Sequence, residues 1–163
     1  MTAGKLCPQK MRYKLLCILA ALGITLNANA QKAPPDTAVL SGLVYSLEGI
    51  GHPLDYATAS IRQNGFVKDL VIGNRVEYAS PTDSLTFFVF QLGSDGNVNS
   101  IAAKARATCL RAYLIVLFSD GFNEVPESKF NGYKEYQNAN FTIFCKKEYE
   151  GDYMSVVIDA NGP

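Results

Sequence analysis

The side chains that could do chemistry are few, and their types and spacing do not build a catalytic site. His52 is the only histidine, and it precedes Pro53 in a stretch rich in turn residues. Because no second histidine is present to serve a nucleophile, a surface turn residue is favoured over an acid–base group. Beyond the first thirty residues, which have the pattern of a cleaved leader, only Cys109 and Cys145 remain, and with one histidine they cannot make a zinc site without several carboxylates. The sequence therefore predicts a protein that is not an enzyme and holds no cofactor.

Two further stretches carry polar groups close together. Residues 93–96, Gly-Ser-Asp-Gly, are typical of a hairpin tip and not of a phosphate loop, because strand-like residues follow where a helix N-terminus would be needed. Glu148, Glu150 and Asp152 form an acidic cluster that could bind calcium weakly. Their spacing is not that of a known calcium loop, so a solvated edge is favoured and no metal site is predicted.

The first thirty residues have the pattern of a secretory signal peptide. A basic start at residues 11–14 precedes the apolar run of residues 15–26, and residues 28–30 supply small side chains before Gln31. The run is well short of the roughly twenty residues of a spanning helix, which disfavours an uncleaved membrane anchor. Met11 is an alternative start. The sequence predicts export to the periplasm or out of the cell.

The net charge of the exported part excludes some classes of binding partner. Four of the 15 basic residues precede Gln31, so 15 − 4 = 11 remain against 15 acidic residues, a net charge of −4. A mildly acidic domain is a poor partner for nucleic acid or for anionic membrane surfaces.

In an oxidising compartment Cys109 and Cys145 could form a disulfide; the alternative is that both are small buried side chains.

The part of the chain before residue 84 reads as a disordered leader and a short β-rich segment. Residues 31–37 are polar and contain two prolines, which indicates disorder. Residues 38–46 and 54–62 predict two strands separated by a turn-rich loop, and residues 66–78 predict two short strands around a Gly-Asn turn. The break at residues 81–83 is the best candidate boundary, which gives a β-rich segment over residues 38–80.

Residues 85–101 are the stretch around which the remaining chain is organised. Residues 85–90 are almost all β-branched or aromatic, and a second strand-like run follows Asp95-Gly96. An Asp-Gly pair between two such runs predicts a hairpin with a type I′ turn. Because the first arm carries apolar side chains on both faces, it is expected to need cover on both sides.

One helix and one further strand are predicted after this hairpin. Residues 102–118 form an uninterrupted helical pattern whose apolar stripe is Ala103, Ala107, Leu110, Leu114 and Leu117. The last clear strand is predicted at residues 138–146, and residues 153–158 could add a short edge strand. The predicted fold class is α+β: a small antiparallel sheet with one packed helix, ββαβ, over residues 84–158, preceded by the β-rich segment.

Residues 85–146 resemble the C-terminal domain of the TonB energy transducers. Residues 88–98 are similar to the family's "vxFxVdxdGxVxn" hairpin, and residues 141–144 to its closing "lPvxF" strand. Pro126 and residues 131–133, Asn-Gly-Tyr, lie where the family has a "PgxxnGkpV" loop. The family usually has a Tyr-Pro pair and a following glycine just before the hairpin, and residues 78–81, Tyr-Ala-Ser-Pro, match this motif only in part. No periplasm-spanning spacer rich in proline and charge lies between the predicted signal and the domain. Energy transduction by this chain alone is therefore not expected.

The resemblance implies a binding mode in which an extended peptide pairs with the edge of the last strand. The implied partner-binding residues are those of the last strand: Asn140, Phe141, Thr142, Ile143, Phe144, Cys145 and Lys146. A buried strand and a homodimer edge are the alternatives. The predicted function is binding of a protein or peptide at the cell envelope, without stable membrane insertion once the signal is removed.

A second resemblance concerns the β-rich segment. Residues 41–45 and 51–61 are similar to the opening of carboxypeptidase regulatory-like, or transthyretin-like, β-sandwich modules, "sGxVxd…G.PLxyAtVsI". The family's "TdxxGxF" continuation is not present after Gly65. This resemblance implies the alternative function, a secreted structural or carbohydrate-facing accessory module.

Overall fold

A computed structural model of the protein describes residues 35–147 and 152–161. The helices are α1 (Pro35–Gly49), α2 (Leu54–Ala57), α3 (Ala59–Gln63) and α4 (Ala107–Ser119). The strands are β1 (Val67–Ile72), β2 (Arg75–Ser80), β3 (Asp83–Leu92), β4 (Val98–Arg106), β5 (Asn123–Val125), β6 (Lys134–Gln137), β7 (Phe141–Lys147) and β8 (Tyr153–Ala160). The predicted signal peptide and residues 31–34 of the predicted leader lie outside the described residues.

The strands of the described part form one antiparallel sheet in the order β1-β2-β3-β4-β8-β7-β6-β5. The order is palindromic about the β4–β8 pair, because each half is a long helix followed by four strands paired in sequence. The long helices α1 and α4 contact each other, and both contact β4. The predicted fold class is therefore wrong: the sheet has eight strands, and more than one helix packs on it.

The strand register divides the sheet into two faces. Phe88, Ala103, Val156 and Cys145 are direct neighbours across four strands, and all are buried. This face lies under the helices, since a Cβ added at Gly42 of α1 would lie 2.6 Å from Phe88 Cζ. The alternate residues of each strand lie on the opposite face, here called the open face.

Residues 38–46 form part of α1, so the strand predicted there is wrong. Leu40, Leu43, Val44 and Leu47 recur at the i, i+3, i+4, i+7 spacing of one helix face, and all four are buried. The β-branched residues of this stretch favour a strand only weakly, and burying the helical stripe against the sheet outweighs that preference.

The strand predicted at residues 54–62 is also wrong, because this stretch forms α2 and α3. Pro53 precedes the first turn of α2, a position where its missing N–H costs nothing. Residues 41–49 and 54–57 are thus helical, with a turn between them, where the β-sandwich resemblance needs strands, so that resemblance does not describe this part of the fold.

The helix predicted from residue 102 begins only at Ala107, because residues 102–106 continue β4. Ile101, Ala103 and Ala105 are buried with a period of two, and β8 pairs with this stretch along its length. Alanine has little strand preference of its own, so pairing with β8 decides the structure here. The predicted edge strand at residues 153–158 is correspondingly β8, which lies between β4 and β7.

Both predicted hairpins are present, although the second turn differs from the expected type. β1 and β2 flank Gly73-Asn74, and β3 and β4 flank residues 93–97. A type I′ turn needs positive φ at both central residues, whereas Gly96 has φ 80° and, among the described residues, only glycines have positive φ. The boundary predicted at residues 81–83 falls at the turn between the paired strands β2 and β3, inside one compact unit.

Candidate functional site

The strand predicted to bind a partner is not at an edge of the sheet. β7 pairs with β6 on one side and with β8 on the other. Its residues 142–145 are buried, Phe141 and Lys146 are partly exposed, and Asn140 lies exposed in the turn before the strand. Because both borders of β7 are occupied, the assignment of residues 140–146 to a free edge is wrong, and a peptide could pair there only by displacing a neighbouring strand.

The two cysteines beyond the N-terminal segment are free and buried, so the possible disulfide between Cys109 and Cys145 is not formed in this structure. Burial raises the pKa of the Cys145 thiol to about 12. Burial, assisted by the negative charge of Asp36, raises the pKa of the Cys109 thiol to about 12 as well. Both thiols are therefore held neutral in the folded chain.

The raised pKa values predict unreactive thiols and a loss of stability at high pH. A rise of the thiol pKa from 9.0 to about 12 lowers the thiolate fraction at pH 8 about a thousandfold. Labelling by a disulfide reagent should therefore proceed no faster than the protein unfolds. Above about pH 9 the unfolded chain releases thiol protons that the folded chain keeps, so the free energy of unfolding should fall as the pH rises towards 12. Rapid labelling of the native protein would contradict this; the test is made with Cys7 and Cys17, the two cysteines of the N-terminal segment, replaced by serine.

The remaining residues selected from the sequence do not come together. His52 is exposed, and its ring lies against that of Tyr56 with 4.5 Å between centroids. Glu148 and Glu150 lie outside the described residues, and Asp152 is exposed. Within residues 35–147 and 152–161 there is no group of three or more His, Cys, Asp or Glu side chains that could hold a metal ion.

A polar cluster at the start of β3 joins three strands. The Asp83 carboxylate accepts hydrogen bonds from the Thr86 hydroxyl (2.9 Å), the Leu85 N–H (3.1 Å) and the Tyr153 hydroxyl (3.0 Å), and Arg106 Nε lies 3.7 Å away. Burial raises the pKa of Asp83, but these hydrogen bonds and the Arg106 charge outweigh it and lower the pKa overall. Because the carboxylate is already occupied by its neighbours, the cluster is structural.

The free border of the sheet is β1, which pairs only with β2 among the described strands. All six of its side chains are exposed. Four are large aliphatic groups with exposed fractions of 52% for Val67, 47% for Leu70, 53% for Val71 and 64% for Ile72. A long apolar edge strand of this kind is a template for pairing with another chain.

The register shows which backbone groups of β1 are free. Ile72 pairs with Arg75 across the two-residue turn Gly73-Asn74, and Gly73 has φ 58°, as a type II′ turn requires. Residues that flank such a turn form a hydrogen-bonded pair, and the next pair along does not. The N–H and C=O of Val71 therefore point away from β2, towards the free side.

The opposite border of the sheet is protected in ways that β1 is not. β5 has only three residues, and Pro126 follows it directly. The neighbouring side chains Glu124 and Lys134 form an ion pair with 2.8 Å between Nζ and Oε1. Short length, proline and charge are the usual devices that prevent pairing at an edge. β1 and β5 occupy equivalent positions in the two halves of the sheet, so this contrast marks β1 as the accessible border.

A row of polar residues crosses the open face. Gln91, Ser100, Asp159, Thr142 and Gln137 are direct neighbours on β3, β4, β8, β7 and β6. Part of this row lines an open groove of about 610 Å³, here called the polar groove, whose side chains include Gln91, Asn99, Ser100, Lys129, Thr142 and Asp159. Sequence inspection did not find this row, because its members come from strands that are distant in the chain.

The loop between β5 and β6 forms one wall of the polar groove. The buried Glu135 carboxylate accepts a hydrogen bond from the Lys129 N–H (3.1 Å) and another from the Gln137 amide (2.6 Å). The Phe130 ring lies 4.9 Å from that of Phe144, measured between centroids, in an edge-on arrangement. These contacts hold the loop, and with it Lys129, against the open face.

Comparison with known protein families, with curated proteins and with solved structures finds no match to this chain. Of the helices in the described part of the chain, none has the length and apolar character of a membrane span.

Proposed function

We propose that this chain is an exported, non-enzymatic protein of the cell envelope that binds a protein or peptide partner by adding a strand to β1. The observation that carries the proposal is the free border of the sheet, with all six β1 side chains exposed and four of them aliphatic. Export rests on the signal-peptide pattern of residues 1–30. Strand addition is the mode implied by the resemblance to TonB C-terminal domains, moved here from the last strand to β1.

Affinity and selectivity would come from different groups of β1. The outward N–H and C=O of Val71 would make main-chain hydrogen bonds that any extended segment can satisfy. Leu70 and Ile72 pair with Glu77 and Arg75 on the open face, whereas Val71 pairs with the buried Val76 on the other face. The favoured partner segment therefore carries apolar side chains on both faces.

The charged half of β1 limits where a partner strand can pair. Lys68 and Asp69 are exposed, and the register shifts between Lys68 and Leu70. Charges and bulges discourage indiscriminate pairing along an edge. The pairing is therefore expected to centre on residues 70–72, next to the Gly73-Asn74 turn, and to favour a short extended segment over a long sheet edge.

Selection from a displayed library of random peptides tests the proposal. The enriched peptides should be extended and aliphatic. Val71→Pro should weaken their binding at least about tenfold, because proline removes the outward N–H that would bond to the peptide and places its ring on the free side of β1. Leu70→Asp should weaken binding too, whereas Leu85→Asp, at a side chain with nearly the same exposure (46% against 47%), should not. Equal binding of the enriched peptides to all four proteins would refute the β1 site.

A further inference from the structure

We infer that the polar groove on the open face binds a neutral saccharide, independently of the β1 border. The groove is formed by β3, β4, β7, β8 and the loop that carries Lys129, and it includes no residue of β1. Its volume of about 610 Å³ lies within the range of pockets that hold small ligands.

Several polar groups of the groove are available to a ligand. The side-chain amides of Gln91 and Asn99 make no hydrogen bond to any other described residue, and each offers two donors and one acceptor oxygen. One oxygen of Asp159 accepts the Ser100 hydroxyl at 2.6 Å, and the other accepts none from the described residues. Thr142 is already engaged with Asn161 at 2.6 Å and forms part of the floor.

The charges of the groove favour an uncharged ligand. Asp159 would repel an anion, and the ammonium group of Lys129 would repel a cation. That ammonium group lies over the rings of Phe130 and Phe144, 5.8 Å and 5.0 Å from their centroids, which holds it beside the groove. Hydroxyl groups both donate and accept, so they match a mixed set of amides and a carboxylate better than an ion does.

The neighbouring row of the open face points to a saccharide among neutral polar ligands. Next to Ser100 and Asp159 of the polar row lie Ala102 and Val157, which are direct neighbours on β4 and β8 and are partly exposed. A sugar ring presents hydroxyl groups at its rim and C–H groups on its faces. Ala102 and Val157 can therefore contact a face of such a ring while the polar side chains beside them reach the hydroxyl groups at its rim.

This inference is tested by measuring the binding of neutral and anionic oligosaccharides to the full chain. Calorimetry measures the free oligosaccharides, and an immobilised array measures the attached ones. We expect binding of at least one neutral member, unchanged between 50 mM and 500 mM NaCl because no charge pair is involved. Binding of free and array-attached forms alike indicates recognition of the sugar itself, and binding of the attached form alone indicates recognition of a polymeric glycan; both support the inference.

Variants decide whether the groove is the site. Gln91→Ala combined with Asn99→Ala should weaken binding at least about tenfold through the loss of hydrogen bonds at two amides, whereas Gln63→Ala, an exposed amide on α3, should not. The inference is overturned by absence of neutral binding at millimolar concentrations, by binding only of anionic members, or by equal binding to the double variant. Peptide binding at β1 should be unchanged in the double variant, which separates this test from that of the proposed function.

Discussion

Thr142→Pro should destabilise the protein by about 3 kcal/mol or more, because it places proline in an internal strand. Thr142 pairs with Gln137 on β6 and Asp159 on β8, so its N–H belongs to the ladder of the sheet. Proline removes that donor, leaves a buried carbonyl without its partner, and replaces the hydroxyl that bonds to Asn161 at 2.6 Å. Urea unfolding followed by circular dichroism measures the effect.

Val71→Pro is the matched control for this substitution. The N–H of Val71 points to the free side of β1, so proline there removes no hydrogen bond of the sheet. We expect a loss of less than about 1 kcal/mol, since proline also restricts the unfolded chain. Thr142→Ala separates the loss of the hydroxyl from the backbone effect. A Thr142→Pro protein as stable as Val71→Pro would mean that β7 is not internal.

Gly42→Leu should cost about 3 kcal/mol or more, because α1 packs on the sheet through the bare backbone of this glycine. A Cβ at Gly42 would lie 2.6 Å from Phe88 Cζ and 2.8 Å from Ile61 Cγ2. Both neighbours are buried core side chains, with exposed fractions of 0% and 1%, so neither can move into solvent. Thermal unfolding of Gly42→Ala and Gly42→Leu should show a graded loss.

Gly93→Ala supplies the comparison for Gly42→Ala. An added Cβ at Gly93 would meet Asp95 Oδ1 at 2.9 Å. This carboxylate accepts two hydrogen bonds from Asn97, but the side chain is exposed, so water can replace those bonds when it turns away. We expect Gly93→Ala to change the midpoint temperature by a degree or two at most. A Gly42→Leu protein with wild-type stability would show that α1 does not pack on Phe88.

The parts of the fold that could be predicted are those determined by local sequence. The turns at Gly73-Asn74 and at residues 93–97 join strands close in sequence, and glycine supplies the positive φ that each turn needs. The stretch at residues 102–106 could not be assigned locally, because its alanines favour a helix and only pairing with β8 makes it a strand. The stripe of α1 has helical spacing in the sequence, whereas the valines among its residues favour a strand, so the two local signals disagree there.

The candidate site was less predictable than the fold, since edge and interior are properties of the whole sheet. β7 has a strand-like sequence wherever it lies, and it is internal because β8 returns from the end of the chain to lie beside it. β1 was recognisable as a strand from residues 66–72, but its exposure depends on the absence of a ninth strand from the described sheet. The polar row of Gln91, Ser100 and Asp159 likewise exists only in the assembled register.

Amide hydrogen exchange at Val71 tests most directly whether β1 is an open border that recruits a partner strand. In the free protein the Val71 amide should exchange nearly as fast as an unstructured one, while the Leu70 and Ile72 amides, bonded to β2, exchange more slowly. A peptide selected for binding should slow the Val71 amide at least about tenfold. An amide already protected in the free monomer, or one still fast in the saturated complex, would contradict strand addition at β1.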